Sequence, residues 1–99
     1  MEIKKIQNGD TCVLTLSGRI DTITSPQLQE SLMETVSSAT SIELDFAQVD
    51  YVSSAGLRVL LMGEKGAKGS GKTMTLKNVS DEVMEVFNIT GFSGILTIE

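Results

Sequence analysis

Two stretches near the start of the chain alternate between apolar and polar residues, which is the period of a β-strand. Residues 3–7 are short and β-prone, and Asn8-Gly9 follows as a hairpin signal, because a type I′ turn needs positive φ at both central positions. In residues 11–17 the apolar side chains fall at every second position and predict a strand with one buried face. Residues 18–21, Gly-Arg-Ile-Asp, are predicted to end this strand in a turn.

Helical spacing begins after this predicted turn. Ser25 and Pro26 predict a helix start, because a serine oxygen accepts from free backbone amides at the cap and proline fits the first helical position. Leucine and valine then recur at helical intervals to about residue 37. Residues 41–46 alternate again and predict a second strand with one apolar face.

A further helix and strand follow. Ser53 and Ser54 are candidate N-caps for a helix that is apolar almost all round over residues 57–62, so we expect it to be largely buried. Three glycines within residues 66–72 predict its end, and residues 73–79 predict the next strand.

The last predicted elements are a third helix and a short strand. Ser80 is predicted to cap the helix, acidic residues occupy its first turn, where the helix dipole favours them, and Gly91 is predicted to stop it. Residues 95–98 predict the final strand. The order β-β-α-β-α-β-α-β predicts an α/β fold, because strands separated by helices form right-handed crossovers in a mostly parallel sheet. We expect residues 1–99 to form one domain, a mixed, mostly parallel sheet flanked by helices.

Composition excludes several classes of function. The 99 residues include 8 basic and 13 acidic side chains, and the net charge of −5 favours neither nucleic acid nor an anionic membrane as a partner. Histidine is absent, so the chain has no Ser-His-Asp or Cys-His site and no histidine-ligated zinc. Carboxylates are therefore the only general bases of suitable pKa available.

Cysteine content and hydropathy predict the compartment. The single cysteine, Cys12, rules out an internal disulfide, which fits a reducing compartment. No apolar run reaches the roughly 18 residues of a transmembrane helix. The first five residues are not followed by the apolar region of a signal peptide. We therefore predict a cytoplasmic protein.

The first candidate site is a glycine-rich segment. Residues 66–73, Gly-Ala-Lys-Gly-Ser-Gly-Lys-Thr, satisfy the P-loop pattern G-x-x-x-x-G-K-[ST], whose backbone amides would cradle phosphates. A P-loop needs a strand before it and a helix after it, and the predicted order is the reverse. The alternative is a glycine-rich helix end whose lysines complement the negative end of the helix dipole.

Three aspartates near predicted strand ends form the second candidate. Asp21, Asp45 and Asp50 could bind Mg²⁺, which prefers oxygen ligands, or support phosphoryl transfer to an aspartate. The alternative is that they are solvated loop residues of an acidic protein, and this is the interpretation we favour.

The third candidate is the segment Val52-Ser53-Ser54-Ala55-Gly56-Leu57. Either serine could serve only as a helix cap. The functional alternative is a phosphoacceptor, because free amides and the dipole at a helix N-terminus can hold an added phosphate. Gly56 would let a second backbone or a nucleotide approach closely.

The order of elements and two segments resemble the STAS domain family and, more narrowly, the bacterial anti-sigma factor antagonists. Gly18-Arg19-Ile20-Asp21 is similar to the family's Gly-x-hydrophobic-Asp motif. Residues 44–57 resemble its most specific stretch, in which the pattern Asp-Ser-x-Gly-Leu is common. The resemblance implies a small β/α domain that binds an anti-sigma factor, itself a serine kinase, and so frees a sigma factor.

The resemblance also implies roles for particular residues. The family's phosphoacceptor lies two residues before its glycine, which makes Gly56 the glycine and Ser54 the acceptor, with Asp21 as the acid nearby. Together with Ser53, these residues are expected to bind the partner. The kinase partner binds the ATP, phosphorylation dissociates the complex, and a phosphatase restores the active form. The resemblance implies no catalysis by this chain, which agrees with the lack of general bases other than carboxylates. It also implies no cofactor and no direct contact with nucleic acid or membrane.

One residue departs from the family's pattern. The position before the acceptor is often Asp, and here it is Ser53. Ser53 is then either an alternative acceptor or the cap that leaves Ser54 free. The departure also leaves open a STAS domain that does not switch, either a scaffold in a stress-signalling assembly or an accessory subunit of a transport system.

Overall fold

A computed structural model describes all 99 residues, Met1–Glu99. The strands are β1 (Glu2–Asn8), β2 (Thr11–Ile20), β3 (Ser41–Val52), β4 (Thr73–Lys77) and β5 (Thr97–Ile98). The helices are α1 (Ser25–Ser38), α2 (Ser54–Gly69) and α3 (Asp81–Thr90), and a 3₁₀ turn, Phe92–Gly94, precedes β5. None of the helices combines the length and the apolar character needed to span a lipid bilayer.

The sheet follows chain order, β1-β2-β3-β4-β5, with β1 antiparallel to β2 and all later neighbours parallel. The predicted α/β class, the order of elements and the mixed, mostly parallel sheet are confirmed. Each parallel connection steps one strand in the same direction, so right-handed crossovers put all three helices on one face. The helices therefore flank the sheet on one side only, and the fold has two layers.

The face of the sheet beneath the helices supplies the core. Leu14, Leu44 and Leu76 lie in register across β2, β3 and β4, and all three are fully buried. Phe46 of β3 packs edge-on against Phe87 of α3, with ring centroids 6.2 Å apart. These side chains belong to a cluster of 22 buried residues to which every helix contributes. By packing against the sheet through this core, the three helices are held in place relative to the strands.

The opposite face of the sheet is polar and carries no helix. Thr15, Asp45 and Lys77 lie in register there, and none of the three is buried. Lys77 Nζ lies 3.3 Å from a carboxylate oxygen of Glu43 on the neighbouring strand. Contacts of this kind between side chains of adjacent strands take the place of apolar packing on this face.

Strands β2 and β3 are longer than predicted, because irregularities in their pairing interrupt the two-residue period. The predicted turn at residues 18–21 is wrong: β2 continues through Ile20, and Gly18 has a φ of +114° at a register shift between the strands. Strand β3 continues past Phe46 to Val52 across the same region. A bulge inserts an extra residue into one strand, so strict alternation is lost where the strand persists.

Helix α1 begins one residue earlier than predicted. Ser25 is not its cap but its first residue, and it is buried. The preceding residue, Thr24, makes no side-chain cap hydrogen bond, because its hydroxyl donates to the carbonyl of Arg19 instead. Pro26 lies in the first turn as predicted, where its missing amide hydrogen is not needed.

Helix α2 ends within the glycine-rich segment predicted to end it but differs from the prediction in burial. Gly66 lies inside the helix, where a Cβ would make only ordinary contacts with Met33 and Val36 of α1. One turn earlier, a Cβ at Gly63 would lie 2.5 Å from Leu32 Cδ2, so it is Gly63 that lets the two helices approach. The helix ends at Gly69. The expectation of a largely buried helix is wrong for one face, where polar side chains such as Arg58 are exposed.

Helix α3 has the predicted ends. Ser80 Oγ accepts from the amide of Val83 at 3.2 Å, and Gly91 ends the helix with a φ of +82°. The strands on either side are shorter than predicted. Strand β4 stops before Asn78, which has a φ of +59°, and only Thr97–Ile98 pair after the 3₁₀ turn.

One buried carboxylate in α2 is poorly satisfied. Glu64 is 4% exposed, and its Oε2 atom has no hydrogen-bond partner. Its Oε1 atom lies 3.6 Å from Nζ of Lys68, whose side chain is 70% exposed. A buried polar atom without a partner destabilises the folded state, so Glu64 is a weak point of the core.

We expect Glu64→Leu to raise the free energy of unfolding by about 1–2 kcal/mol, because it removes the unpartnered oxygen and leaves behind only the exposed ammonium of Lys68. Urea denaturation measures the change. Lys65→Ala, at an exposed and unpaired position of the same helix, is the control and should change stability by less than about 0.5 kcal/mol. A less stable Glu64→Leu chain would contradict this account.

Candidate functional site

The first turn of α2 is pressed against the end of β2. The Ser53 amide donates to the carbonyl of Ile20 at 2.8 Å. A Cβ at Gly56 would lie 2.5 Å from Ile20 Cγ2 and 3.0 Å from Val52 Cγ1, closer than real Cβ atoms come to such neighbours. The absence of a side chain at Gly56 therefore fixes how closely the two adjacent serines approach the end of β2.

Gly56 acts inside the protein rather than on its surface. The residue is buried in the first turn of α2, and its place among the partner-binding residues stays a prediction. The backbone that approaches it belongs to the same chain, because the Ile20 carbonyl would lie 3.2 Å from the Cβ. Its contribution to the site is the position it gives to the start of α2.

The two adjacent hydroxyls have different surroundings. Ser53 is the N-cap residue of α2, and its Oγ accepts from the amide of Gly56 at 3.3 Å. Ser54 is the first residue of the helix; it is exposed, and its hydroxyl makes no hydrogen bond. Amides in the first turn of a helix have no acceptor within that helix. The cap is therefore Ser53, and the Ser54 hydroxyl faces solvent near free amides.

Asp21 organises the loop between β2 and α1. Its Oδ1 accepts from the amides of Ile23 and Thr24, both at 3.0 Å, and Arg19 Nε lies 3.8 Å from its Oδ2. The Thr24 amide is the main cause that holds the pKa of Asp21 below its ordinary value of 3.8. Partial desolvation opposes this shift, while the Ile23 amide, the Thr24 hydroxyl and the Arg19 charge support it. Asp21 is therefore a fixed negative charge close to the start of α2.

Two exposed apolar side chains lie beside these polar groups. Ile23, in the loop that Asp21 organises, is 86% exposed. Tyr51 is 42% exposed, and the guanidinium of Arg19 stacks over its ring at 4.1 Å from the centroid. Large apolar residues exposed next to polar groups are typical of binding surfaces. Sequence reasoning missed both, and the only signal available was that each lies next to one of the two motifs.

The glycine-rich segment does not form a phosphate-binding loop. Residues 66–73 join the end of α2 to β4, the reverse of the order that a P-loop needs. Its amides already donate to carbonyls in the last turn of α2, as the amide of Lys72 does to Ala67 at 2.8 Å. Lys72 Nζ donates to the carbonyl of Val36 at the end of α1. The segment is a helix end. Its last lysine, Lys72, bonds a carbonyl at the end of α1 rather than one at the end of α2.

The three aspartates proposed as a metal site are not brought together. Asp45 Oδ1 accepts from the amide of Ala47 and from Asn78 Nδ2, both at 3.0 Å. Asp50 is exposed on β3, and Asp21 is engaged by its own loop. No three acidic or cysteine side chains lie close enough to hold a metal ion. Of the three, only Asp50 is a solvated acid of the kind the favoured interpretation describes, since Asp21 and Asp45 are half-buried and hydrogen-bonded.

The fold, with its motif at the start of the second helix, defines the class of domain. A family model described as "Mlab, STAS domain" matches residues 3–97, nearly the whole chain. The chain belongs to the STAS domain family.

Several similar proteins are described as anti-sigma factor antagonists. The anti-sigma-B factor antagonist of Bacillus subtilis is 29% identical over 92 residues, which cover 93% of this chain and 84% of the relative. That of Listeria monocytogenes is 30% identical over 100 residues, covering 100% of this chain and 87% of the relative. The structure of the Bacillus cell fate determinant SpoIIAA in the phosphorylated form has a TM-score of 0.76 at 18% identity, over 99% of this chain and 91% of that one. At that identity, the likeness to SpoIIAA concerns the fold alone.

We expect Gly56→Ala to lower the free energy of unfolding by about 1–3 kcal/mol, because the new methyl group overlaps Ile20 and must displace the end of β2. Chemical denaturation measures the loss. Gly69→Ala is the matched control in the same helix, since a Cβ there meets nothing within 4 Å. The control should be neutral or slightly stabilising. Equal behaviour of the two variants would rule out the close approach.

Asp21→Asn keeps an oxygen that can accept the loop amides but removes the negative charge. Because the pKa of Asp21 is lowered in the folded state, the charge contributes stability above about pH 4 that is lost as the pH falls through the folded-state pKa. We expect the wild-type chain to melt at a higher temperature than the variant near about pH 6, and the difference to vanish toward about pH 2. Thermal melts across this range test the prediction, and a difference independent of pH would contradict it.

Proposed function

We propose that this chain is an anti-sigma factor antagonist that is switched by phosphorylation of Ser54. In this proposal it binds an anti-sigma factor in the cytoplasm, and binding frees a sigma factor. The anti-sigma factor is also a serine kinase, whose product no longer binds it, and a phosphatase restores the active form. Membership of the STAS family and the two antagonists similar over most of this chain support the proposal.

The observation that carries the assignment of the acceptor is the contrast between the two serines. The Ser54 hydroxyl is exposed and makes no hydrogen bond, so a kinase can reach it without breaking a contact. The Ser53 hydroxyl accepts from the Gly56 amide, and its modification would remove the cap of α2. This contrast favours Ser54 over Ser53.

The chemistry of the switch is a simple phosphoryl transfer. Ser54 Oγ attacks the γ-phosphorus of ATP, the bond from that phosphorus to the β,γ-bridging oxygen breaks, and ADP leaves. The hydroxyl proton passes to a base supplied by the kinase. ATP and its magnesium ion belong to the kinase, so this chain acts as the protein substrate and not as an enzyme. The phosphatase reverses the change by hydrolysing the phosphoserine ester.

The free energies involved fit a switch without a large conformational change. The phosphate adds about −1.5 to −2 of charge to a chain of net charge −5. Free amides at the start of α2 offset that charge within the chain by about 1–2 kcal/mol, so the fold survives. Against a partner, burying an unpaired dianion costs several kcal/mol. A thousandfold loss of affinity needs only about 4 kcal/mol, so one phosphate is sufficient.

We expect a serine-kinase anti-sigma factor from the same genome, with Mg-ATP, to place one phosphate on Ser54 of the wild-type chain, as located by peptide mass spectrometry. Ser54→Ala should keep the fold and stay bound to the kinase when ATP is added, because no phosphate can form. Ser54→Asp should bind more weakly, since its carboxylate carries part of the charge of the phosphate.

Ser53→Ala is the control for this experiment. It should lose about 1 kcal/mol of stability with the cap hydrogen bond but still accept phosphate on Ser54. Modification of Ser53 alone would overturn the assignment of the acceptor. If neither serine were modified by any such kinase, the switching mechanism would be wrong and a STAS domain that does not switch would take its place.

A further inference from the structure

The exposed face of α2 carries an unpaired guanidinium. Arg58 is exposed and makes no ion pair, no side-chain hydrogen bond and no stacking contact with an aromatic ring. It lies four residues after Ser54, so the two side chains share one face of the helix, about 6 Å apart at their Cβ atoms. Side chains in a helix tilt toward its N-terminus, so the Arg58 side chain lies over the first turn of α2, which begins at Ser54.

The other basic side chains are already engaged or too distant. Arg19 is held by Asp21 and stacks on Tyr51. Lys65 is the other basic residue without a partner, but it lies eleven residues after Ser54, or about 16 Å along the helix. That separation exceeds the screening length of about 8–10 Å in physiological salt. Among the basic side chains, Arg58 alone both lacks a partner and lies about one helical turn from Ser54.

We propose that Arg58 is the residue through which the phosphate acts, by exchanging one anionic partner for another. In the unphosphorylated chain its free guanidinium pairs with a carboxylate of the anti-sigma factor. In the phosphorylated chain the phosphate on Ser54 captures it within the same helix. This inference rests on the proposed function, because it concerns the acceptor and the partner named there.

Charge and geometry favour this exchange. A guanidinium presents a planar fork of donors that matches either a carboxylate or a phosphate with two parallel hydrogen bonds. The phosphate carries about twice the charge of a carboxylate and needs no second molecule, so it wins the competition for Arg58. The chain otherwise has an excess of acidic residues, so a carboxylate of the partner has few other cations near Ser54 to meet. The partner then loses an attraction and faces a dianion in the same step.

The first arm of the test uses the full chain alone, with phosphoserine installed at position 54 during translation. Phosphorus NMR follows the titration of the phosphate. We expect the phosphate to titrate at lower pH in the wild-type chain than in Arg58→Gln, because the guanidinium stabilises the dianion. Lys65→Gln removes the same charge from the same helix and should titrate as the wild type does. Equal titration in the wild type and Arg58→Gln would overturn the capture.

The second arm measures the affinity of the unphosphorylated chain for the anti-sigma factor kinase used to test the proposed function. Arg58→Gln should weaken binding by about tenfold or more, and Lys65→Gln by less than about threefold. Arg58→Lys should recover part of the loss, because an ammonium keeps the charge but not the planar fork. Equal affinities of the Gln variants at the two positions would overturn the role of Arg58 at the interface.

The two arms separate this inference from the function on which it rests. The kinase could bind and phosphorylate the wild type and yet bind Arg58→Gln and Lys65→Gln with equal affinity. That result would leave the antagonist function intact and remove the role of Arg58. A wild-type chain that no anti-sigma factor kinase binds or modifies removes the proposed function and the carboxylate partner with it. The first arm then still decides whether Arg58 pairs with a phosphate on Ser54.

Discussion

The close contact between Gly56 and Ile20 is the constraint on which the rest of the site depends. Because position 56 has no side chain, the first turn of α2 can lie directly on the end of β2. At this distance the amide of Ser53 donates a hydrogen bond to the carbonyl of Ile20. The same contact puts the loop of Asp21 next to the exposed start of the helix. Packed interiors yield little to added volume, so a methyl group there would move the whole arrangement.

Capping and charge are assigned to different residues at this site. Ser53 caps the first turn of α2, and its hydroxyl satisfies the Gly56 amide without adding a negative charge. The neighbouring fixed charge is Asp21, which its own loop amides stabilise. The cap of α2 therefore adds no negative charge of its own, and the acidic group beside the start of the helix is Asp21.

Sequence reasoning predicted the elements that depend on local periodicity and missed those that depend on contacts between distant residues. Alternation and helical spacing gave the order of elements and the core. The extension of β2 through Gly18 depended on strand pairing, and the close packing of α1 on Gly63 depended on the neighbouring helix, neither of which a local pattern encodes. For the site, the motif resemblance singled out Ser54 and Asp21, but it could not separate cap from acceptor or reveal that Ile23 is exposed. Residues 66–73 match the P-loop pattern but lack the preceding strand and the following helix that a P-loop needs.

The one-sided placement of the helices has a consequence for how such a chain can diverge. Residues on the bare side of the sheet, such as Thr15 and Thr75, are only partly buried and face their neighbours on adjacent strands. Substitutions at solvated positions usually change stability by less than about 0.5 kcal/mol. Surface charge can therefore change over generations on that side at less cost to the core than on the helical side.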